Sequence, residues 1–325
     1  MKDFPVNIEM LSRFRTKTEQ KDILDALKRR KIDIIIGTHR LLSRDVRFDD
    51  LGLVVIDEEQ RFGVKHKESL KKLRFIVDVL TLTATPIPRT LYLALMGGRD
   101  ISVIDTPPLE RLPVKTFITE FDECLIKTAI ENEIKRKGQV YFVHNRVDGI
   151  EKIYQRLKNL SPALRITVAH GRMNEKGLER TMSEFIKGNI DMLVCTTIIE
   201  SGIDIPNANT IIVNNADKFG LADLYQLRGR VGRFNKKAFC YLIVDNMNTM
   251  TGDVQGRLHT IKRYQELGSG FKIAMQDLQI RGAGNILGLE QHGYIETVGF
   301  DLYCRLLRDI VSTLKRKTRD GSLQE

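Results

Sequence analysis

Consecutive acidic residues follow directly on an apolar run in the first third of the chain. The run Val54-Val55-Ile56 leads into Asp57-Glu58-Glu59-Gln60. Parallel sheets bind ligands at the carboxyl edge of their strands, and carboxylates clustered there suit a Mg²⁺-nucleotide. The segment therefore predicts a nucleotide site, with a strand that merely runs into a solvated acidic turn as the alternative.

Arginine and glycine alternate in a second segment, QLRGRVGR, which spans Gln226 to Arg233. Arginine stabilises the negative charge of a transferring phosphoryl group, and glycine lets the backbone approach closely. Arginines on a solvated helix would not need a glycine beside each one. The spacing of Arg228, Arg230 and Arg233 therefore favours phosphate chemistry over a plain exposed helix.

Hydroxyl side chains mark two further strand ends. Thr81–Pro86 reads TLTATP, and Cys195–Pro206 reads CTTIIESGIDIP. Hydroxyl groups and exposed amides suit contacts to phosphate or ribose. Each segment alone is equally consistent with an ordinary turn or loop.

Short β-branched runs alternate with amphipathic stretches, the pattern of parallel strands joined by crossover helices. Thr16-Lys17-Thr18-Glu19 has the spacing of a capping box and predicts the start of a helix. We expect a first series of buried strands at Ile32–Thr38, Leu51–Asp57 and Val77–Thr85, extended by Ile101–Asp105, and a second series at Val114–Phe121, Gln139–Asn145, Arg165–Gly171, Asp191–Thr197, Thr210–Ala216 and Ala238–Asp245.

Prolines and the end of the strand pattern divide the chain. Pro107, Pro108 and Pro113 crowd into one short stretch, which neither a helix nor a central strand tolerates. After Asp245 the pattern favours helices and glycine-broken loops. The predicted fold is α/β, with domains at 1–110, 111–248 and 249–325: an incomplete parallel-sheet domain, a complete one and a helical region.

Composition excludes several classes of protein. The 325 residues are 42% hydrophobic and 29% charged, so a disordered or collagen-like chain does not fit. No apolar run approaches the ~18 residues that span a bilayer, and we expect a cytoplasmic protein with no membrane partner. The four cysteines are isolated, which argues against a zinc site. A net charge of +10 favours a polyanionic partner such as nucleic acid.

The order of these motifs across two sheets resembles that of the superfamily 2 helicases and translocases. In that family two RecA-like domains sandwich ATP, and the resemblance implies ATP and Mg²⁺ as cofactors. It implies that Asp57 holds Mg²⁺ and the nucleotide, that Glu58 activates the attacking water, and that Arg230 and Arg233 act as arginine fingers. The remaining implied roles are nucleotide contacts by Gly202, Asp204 and Gln226, and DNA contact or coupling by Thr38, His39, Thr83, Thr85, His144, Asn145, Thr196 and Thr197.

A narrower resemblance covers essentially the whole chain. DEEQRFG (57–63), TPIPRTL (85–91) and DLQIRGAGNILG (277–288) resemble segments of the transcription-repair coupling factors, whose relatives include the RecG-like helicases. Arg281 and Gln291 match residues that transmit the ATP state to a DNA-gripping helical hairpin. The resemblance implies double-stranded DNA as a partner, with RNA polymerase and excision-repair proteins as partners of a full-length parent.

One element of an ATPase of this class is missing. A Walker A loop needs Gly-Lys-Ser/Thr to hold the β and γ phosphates, and no glycine in this chain is followed by lysine. We expect this loop upstream of Met1, and we expect the chain not to turn over ATP alone. Two alternatives stay open, a RecG-like branched-DNA helicase and a non-catalytic DNA-binding module.

Overall fold

The computed structural model divides the chain into two compact units, residues 1–84 and 85–325. The domain boundaries given above stay predictions. The structure describes residues 4–12, 15–59, 62–63, 66, 70, 77–84, 100–104, 106–107, 111–201, 205–233, 235–281 and 313, without the side chains of Glu200, Ser201, Leu278 and Arg281.

The first unit contains two pairs of parallel strands. β1 (Ile8–Leu11) pairs with β2 (Ile34–Gly37), and β3 (Leu53–Asp57) pairs with β4 (Asp78–Leu82). β2, β3 and β4 lie within the predicted strands, whereas β1 was not predicted.

Helix α1 (Lys17–Lys28) joins β1 to β2 and begins at the predicted capping box. The Thr16 hydroxyl oxygen accepts from the Glu19 N–H at 3.3 Å, and the Glu19 carboxylate accepts from the Thr16 N–H at 2.7 Å. These two hydrogen bonds confirm the prediction. They satisfy backbone donors that the helix leaves unpaired at its first turn.

The prediction that the first series of strands is buried is wrong for one face. Leu53, Val55, Leu80 and Leu82 alternate along β3 and β4, and each is about half exposed. A parallel strand is buried on both faces only where helices cover both. Among the described residues of the first unit, the helical ones belong to α1 and a 3-10 turn at His39–Leu42, together with Glu59, His66 and Leu70.

The second unit is built on a six-stranded parallel sheet, in the order β5-β10-β9-β6-β8-β7. Its strands are β5 (Val114–Glu120), β6 (Gln139–His144), β7 (Ile166–Ala169), β8 (Met192–Cys195), β9 (Ala208–Asn214) and β10 (Ala238–Val244). All six lie where strands were predicted, except that β9 begins two residues earlier.

Helices cover both faces of this sheet. They are α2 (Glu123–Lys135), α3 (Ile150–Leu160), α4 (Glu175–Ile186) and α5 (Leu221–Arg228). One face packs around Phe142, Ile130 and Leu157, and the other around Tyr141, Phe185 and Leu227. In the described ranges no helix has the length and apolar character needed to cross a bilayer.

The predicted helical region packs onto the second of these faces. Helices α6 (Gly252–Arg263) and α7 (Gly270–Arg281) contribute Leu258, Ile261 and Ile273 to the same core as the sheet. The Gln265 side chain between them accepts from the Thr116 N–H of edge strand β5 at 2.9 Å. The helices and the sheet therefore form one unit.

The strand predicted at Ile101–Asp105 is not present. Residues 101–104 have no regular structure, and Ile104 is 90% exposed. The prediction rested on β-branched side chains alone, and a strand also requires a neighbouring strand to receive its backbone hydrogen bonds.

Candidate nucleotide and nucleic-acid site

Asp57 and Glu58 lie at the carboxyl edge of the first unit's strands. Asp57 is the last residue of β3, stands opposite Leu82 of β4 and is exposed. Glu58 has a left-handed backbone with φ of 52°, and its N–H donates to the Leu82 carbonyl at 3.0 Å. A left-handed non-glycine residue costs about 1–2 kcal/mol, and such strain concentrates at functional sites.

The same turn brings the acidic segment to the threonine segment. One Glu58 carboxylate oxygen accepts from the Thr83 hydroxyl at 3.4 Å, and the other accepts from the Ala84 N–H at 3.4 Å. Both contacts are long and therefore weak. They place Glu58, the implied catalytic residue, beside Thr83, an implied coupling residue at the end of β4.

Thr38 and His39, the implied DNA contacts of the first unit, are both exposed after β2. The His39 ring lies 4.6 Å from the Phe62 ring and 4.7 Å from the His66 ring, centroid to centroid. Partial burial, with a smaller contribution from His66, lowers the pKa of His39. A neutral imidazole can donate one hydrogen bond to a phosphate, but it adds no positive charge.

Hydroxyl and amide side chains gather at the carboxyl edge of the second sheet. Thr196, directly after β8, is buried, whereas Thr197 is exposed and begins a 3-10 helix, Thr197–Ser201, that packs against α5. The segment that contains Thr197 is therefore in contact with the helix that precedes Arg230 and Arg233.

His144 does not point into solvent, unlike the neighbouring half-buried Asn145. Its Nδ1 lies 3.1 Å from the Asn214 amide nitrogen, and burial, with a smaller contribution from Arg146, lowers its pKa. An amide nitrogen only donates, so Nδ1 accepts and the proton of the neutral ring is on Nε2. The implied DNA contact of His144 stays a prediction.

The arginine segment forms the end of α5 and the turn that follows it. Leu227 and Val231 are fully buried, while Gln226, Arg230 and Arg233 are partly exposed. The buried apolar positions fix the backbone from which the partly exposed side chains of Arg230 and Arg233 extend.

Arg228 differs from the other two arginines because it is 4% exposed. Its guanidinium donates to the Ile261 carbonyl of α6 at 2.7 Å, and burial lowers its pKa. The Arg257 guanidinium of α6 in turn donates to the Asp217 carbonyl at 3.0 Å. Arg228 therefore joins the arginine segment to the helical region.

Gly232 fixes the turn between α5 and β10. Its φ is 75°, and a Cβ added there would come within 2.9 Å of both Ala238 Cβ and Val114 Cγ2. The position therefore excludes side chains through both its backbone conformation and its surroundings.

We expect Gly232→Ala to lower the free energy of unfolding by about 3 kcal/mol, because left-handed strain of about 1–2 kcal/mol adds to overpacking of about 1–3 kcal/mol. Urea unfolding would measure the change. Gly188→Ala is the matched control, since Gly188 has a φ of 80° and open space around its Cβ position. It should cost only about 1 kcal/mol, and equal losses in the two variants would contradict the steric argument.

Arg111 also belongs to this site, and sequence reasoning missed it. Its Nε donates to the Gly232 carbonyl at 3.1 Å, and its Nη2 donates to the Gly229 carbonyl at 3.5 Å. Burial, with a smaller contribution from Arg233, lowers the pKa of Arg111. A single arginine between prolines offered no signal beyond its charge.

Some of the implied site residues cannot be placed. Arg281 ends α7, but its side chain is outside the described residues. Also outside them are Thr85, Gly202, Asp204 and Gln291.

The acidic segment fits a magnesium-bound nucleotide. Mg²⁺ in nucleotide sites is usually held by one or two carboxylates, with phosphates and water completing its shell. Asp57 presents an exposed carboxylate at the strand end, where such a ligand binds. The described residues contain no group of three or more His, Cys, Asp and Glu side chains that could form an all-protein metal site.

Two family models match the chain. Residues 2–93 match the DEAD/DEAH box helicase model, and residues 121–235 match the helicase conserved C-terminal domain model. The first covers β1 to β4, and the second covers β6 to β9 and the arginine segment of the second unit. The chain therefore contains the two RecA-like domains of a helicase.

Curated relatives and a solved structure are similar over most of the chain. The transcription-repair-coupling factor of Bacillus subtilis strain 168 is 54% identical over 316 residues, 97% of this chain and 27% of that protein. The factor of Staphylococcus aureus strain USA300 is 54% identical over 312 residues, 96% of this chain and 27% of that protein. RecG bound to a three-way DNA junction is 36% identical with a TM-score of 0.70, covering 94% of this chain and 40% of that one. The chain thus spans about a quarter of the length of the coupling factors it matches.

Proposed function

The chain belongs to the superfamily 2 helicases, and from its similarity to transcription-repair-coupling factors we propose that it is the ATP-driven double-stranded DNA translocase core of such a factor. The observation that carries the proposal is the contact of Glu58 with Thr83 and Ala84 at the carboxyl edge of β3 and β4. A carboxylate held there is positioned both to activate water and to report on the nucleotide.

Each group has a role in this proposal. Asp57 would hold Mg²⁺ with the phosphates, and the ion would neutralise charge on them when bound. Glu58 would accept a proton from the attacking water as the general base, from its position at the end of β3 beside Thr83 and Ala84. Arg230 and Arg233 stabilise the negative charge that develops on the transferred phosphoryl group.

DNA contact in this proposal comes from both units. Thr38 and His39 in the first unit and Asn145 and Thr197 in the second are at least partly exposed at strand ends. A net charge of +10 with only 7% aromatic residues favours contacts to the DNA backbone over base stacking. In the whole protein, translocation along the duplex would displace stalled RNA polymerase and recruit excision-repair proteins.

The chain by itself is proposed not to hydrolyse ATP, since it contains no Gly-Lys pair for a Walker A loop. The test uses two proteins: the 325-residue chain, and a chimera in which the chain replaces the matching 316 residues of the Bacillus subtilis factor. We expect ATP hydrolysis that linear duplex DNA stimulates in the chimera only. Glu58→Gln in the chimera should reduce kcat by about a hundredfold or more.

An inactive chimera, or a chimera that Glu58→Gln leaves fully active, would overturn the proposed motor. Turnover by the isolated chain that Glu58→Gln removes would instead show that phosphates are held by residues other than a Walker A loop.

The similarity to RecG bound to a three-way DNA junction supports a second candidate, a branched-DNA helicase. The same assay separates the two functions if forked and linear duplexes are compared at equal length. A coupling-factor motor should be stimulated equally by both. Strong stimulation by the fork alone would favour the RecG-like function.

A further inference from the structure

We propose that Arg111 is a positioning residue for the two arginine fingers, Arg230 and Arg233. This inference rests on the proposed function. Arg111 belongs to the proline-bounded segment that leads into β5, far in sequence from the turn it contacts.

Arg111 contacts the arginine turn at two points. The planar guanidinium of Arg111 reaches two carbonyl oxygens of one turn, those of Gly229 and Gly232, through two different nitrogens. The bond to Gly232 is the stronger, at 3.1 Å, and the 3.5 Å contact to Gly229 is long and weak. Because both come from one rigid guanidinium, together they restrict position and orientation more than a single-point contact does. Arg230 lies between the two carbonyls in sequence and Arg233 directly follows them, so the fork fixes the backbone from which both side chains extend.

The turn has little other freedom. Gly232 is seated against Val114 and Ala238, and Val231 is fully buried. On the other side Arg228 is anchored to α6 through the Ile261 carbonyl. Removing Arg111 would leave the turn anchored at Arg228, Val231 and Gly232, and it would loosen chiefly the part between these anchors, at Gly229 and Arg230.

Arg111 also acts on the turn electrostatically. Partial burial lowers the pKa of Arg111, and the positive charge of nearby Arg233 makes a smaller contribution in the same direction. Like charges at short range repel, and repulsion is weakly screened where a group is partly buried. Arg111 therefore disfavours conformations in which Arg233 folds back onto the turn, and it favours an anion in front of the turn.

The consequence is a link between two distant segments of the chain. The segment that carries Arg111 joins the DEAD/DEAH box domain to the helicase C-terminal domain in sequence. A change in its path would move the fork of Arg111 relative to the turn. The position of the fingers therefore depends on a residue that makes no contact with phosphate in this proposal.

Two measurements test the inference. The first is amide hydrogen exchange of residues 229–233 in the 325-residue chain. We expect Arg111→Ala to speed exchange there by about tenfold, because local opening becomes easier. Arg111→Lys should have a smaller effect, because the lysine ammonium can still donate a hydrogen bond to one of the two carbonyls. The control is Arg156→Ala, which removes an exposed arginine of the same unit that pairs with Glu123. It should leave this segment unchanged.

The second measurement is steady-state ATP hydrolysis by the chimera in the presence of duplex DNA. Displaced fingers should lower kcat by about a hundredfold in Arg111→Ala, with less than about a threefold change in KM for ATP. Arg111→Lys should recover part of kcat. A residue that only supported folding would lower the active fraction without this pattern of partial rescue.

The outcomes are distinct. Unchanged exchange at residues 229–233 in Arg111→Ala would show that Arg111 does not hold the turn. Faster exchange with unchanged kcat would show that Arg111 stabilises the turn without positioning the fingers. Both results refute this inference while the native chimera remains active. A native chimera without activity would instead refute the proposed function.

Discussion

Replacing Arg230 with Ala in the chimera is expected to lower kcat for ATP hydrolysis by about a thousandfold or more, the range associated with loss of an arginine finger. Arg230 is partly exposed on a turn that Gly232 and the buried Val231 hold in place. The substitution therefore removes the guanidinium without disturbing the backbone. KM for ATP should change much less than kcat, because the lost interaction forms mainly in the transition state.

Lys236→Ala is the matched control for this measurement. Lys236 is an exposed basic residue beyond the same turn, and its ammonium donates to the Asn207 side-chain oxygen at 3.3 Å. Its removal should leave kcat within about twofold, since a solvated surface charge contributes little. Equal losses in the two variants would mean that general positive charge, rather than a finger, accounts for the effect.

Replacing Arg136 with Ala is expected to lower the free energy of unfolding by about 3–5 kcal/mol, the range for breaking a buried ion pair from one side. The Glu133 side chain on α2 is fully buried, and its carboxylate pairs with Arg136 and accepts from the Thr210 hydroxyl. Loss of Arg136 would leave a buried carboxylate without a countercharge. Urea unfolding of the 325-residue chain would measure the difference.

Two further variants decide whether the buried charge is the cause. Arg156→Ala removes an exposed pair with Glu123 and a stacking contact 3.9 Å above the Phe121 ring, so it should cost about 1 kcal/mol. Arg136→Ala combined with Glu133→Gln should recover much of the loss, because the unpaired charge is gone. If the double variant were as unstable as Arg136→Ala alone, lost packing rather than charge would be responsible.

The strands of the second unit were predictable because their apolar content is local and continuous. β6 and β8 are buried at every position, so a strand could be predicted there without an alternation of apolar and polar residues. β1 was missed because it has only four residues, IEML, and a glutamate interrupts their apolar run. The order of the strands was not predictable, since β5 pairs with β10 through a contact far along the chain that no local pattern encodes.

The chemistry of the site was predictable by residue type but not by conformation. The carboxylates and arginines were visible as clusters of costly charge beside apolar strands. The left-handed φ of Glu58 was not predictable, because glutamate rarely adopts this conformation. The conformation is held by the hydrogen bond from the Glu58 N–H to the Leu82 carbonyl, which no local sequence pattern indicates. Likewise the motif marked three arginines alike, and only the structure separates the buried Arg228 from Arg230 and Arg233.

The buried contact of Arg228 with α6 also has a mechanical meaning. Because its guanidinium is enclosed and bonded to the Ile261 carbonyl, α5 and α6 cannot slide past each other without exposing or breaking that bond. The two helices therefore behave as one stiff lever. The 12 residues of α6 span about 18 Å at 1.5 Å per residue, so a rotation of about 10° at one end carries the other end through about 3 Å.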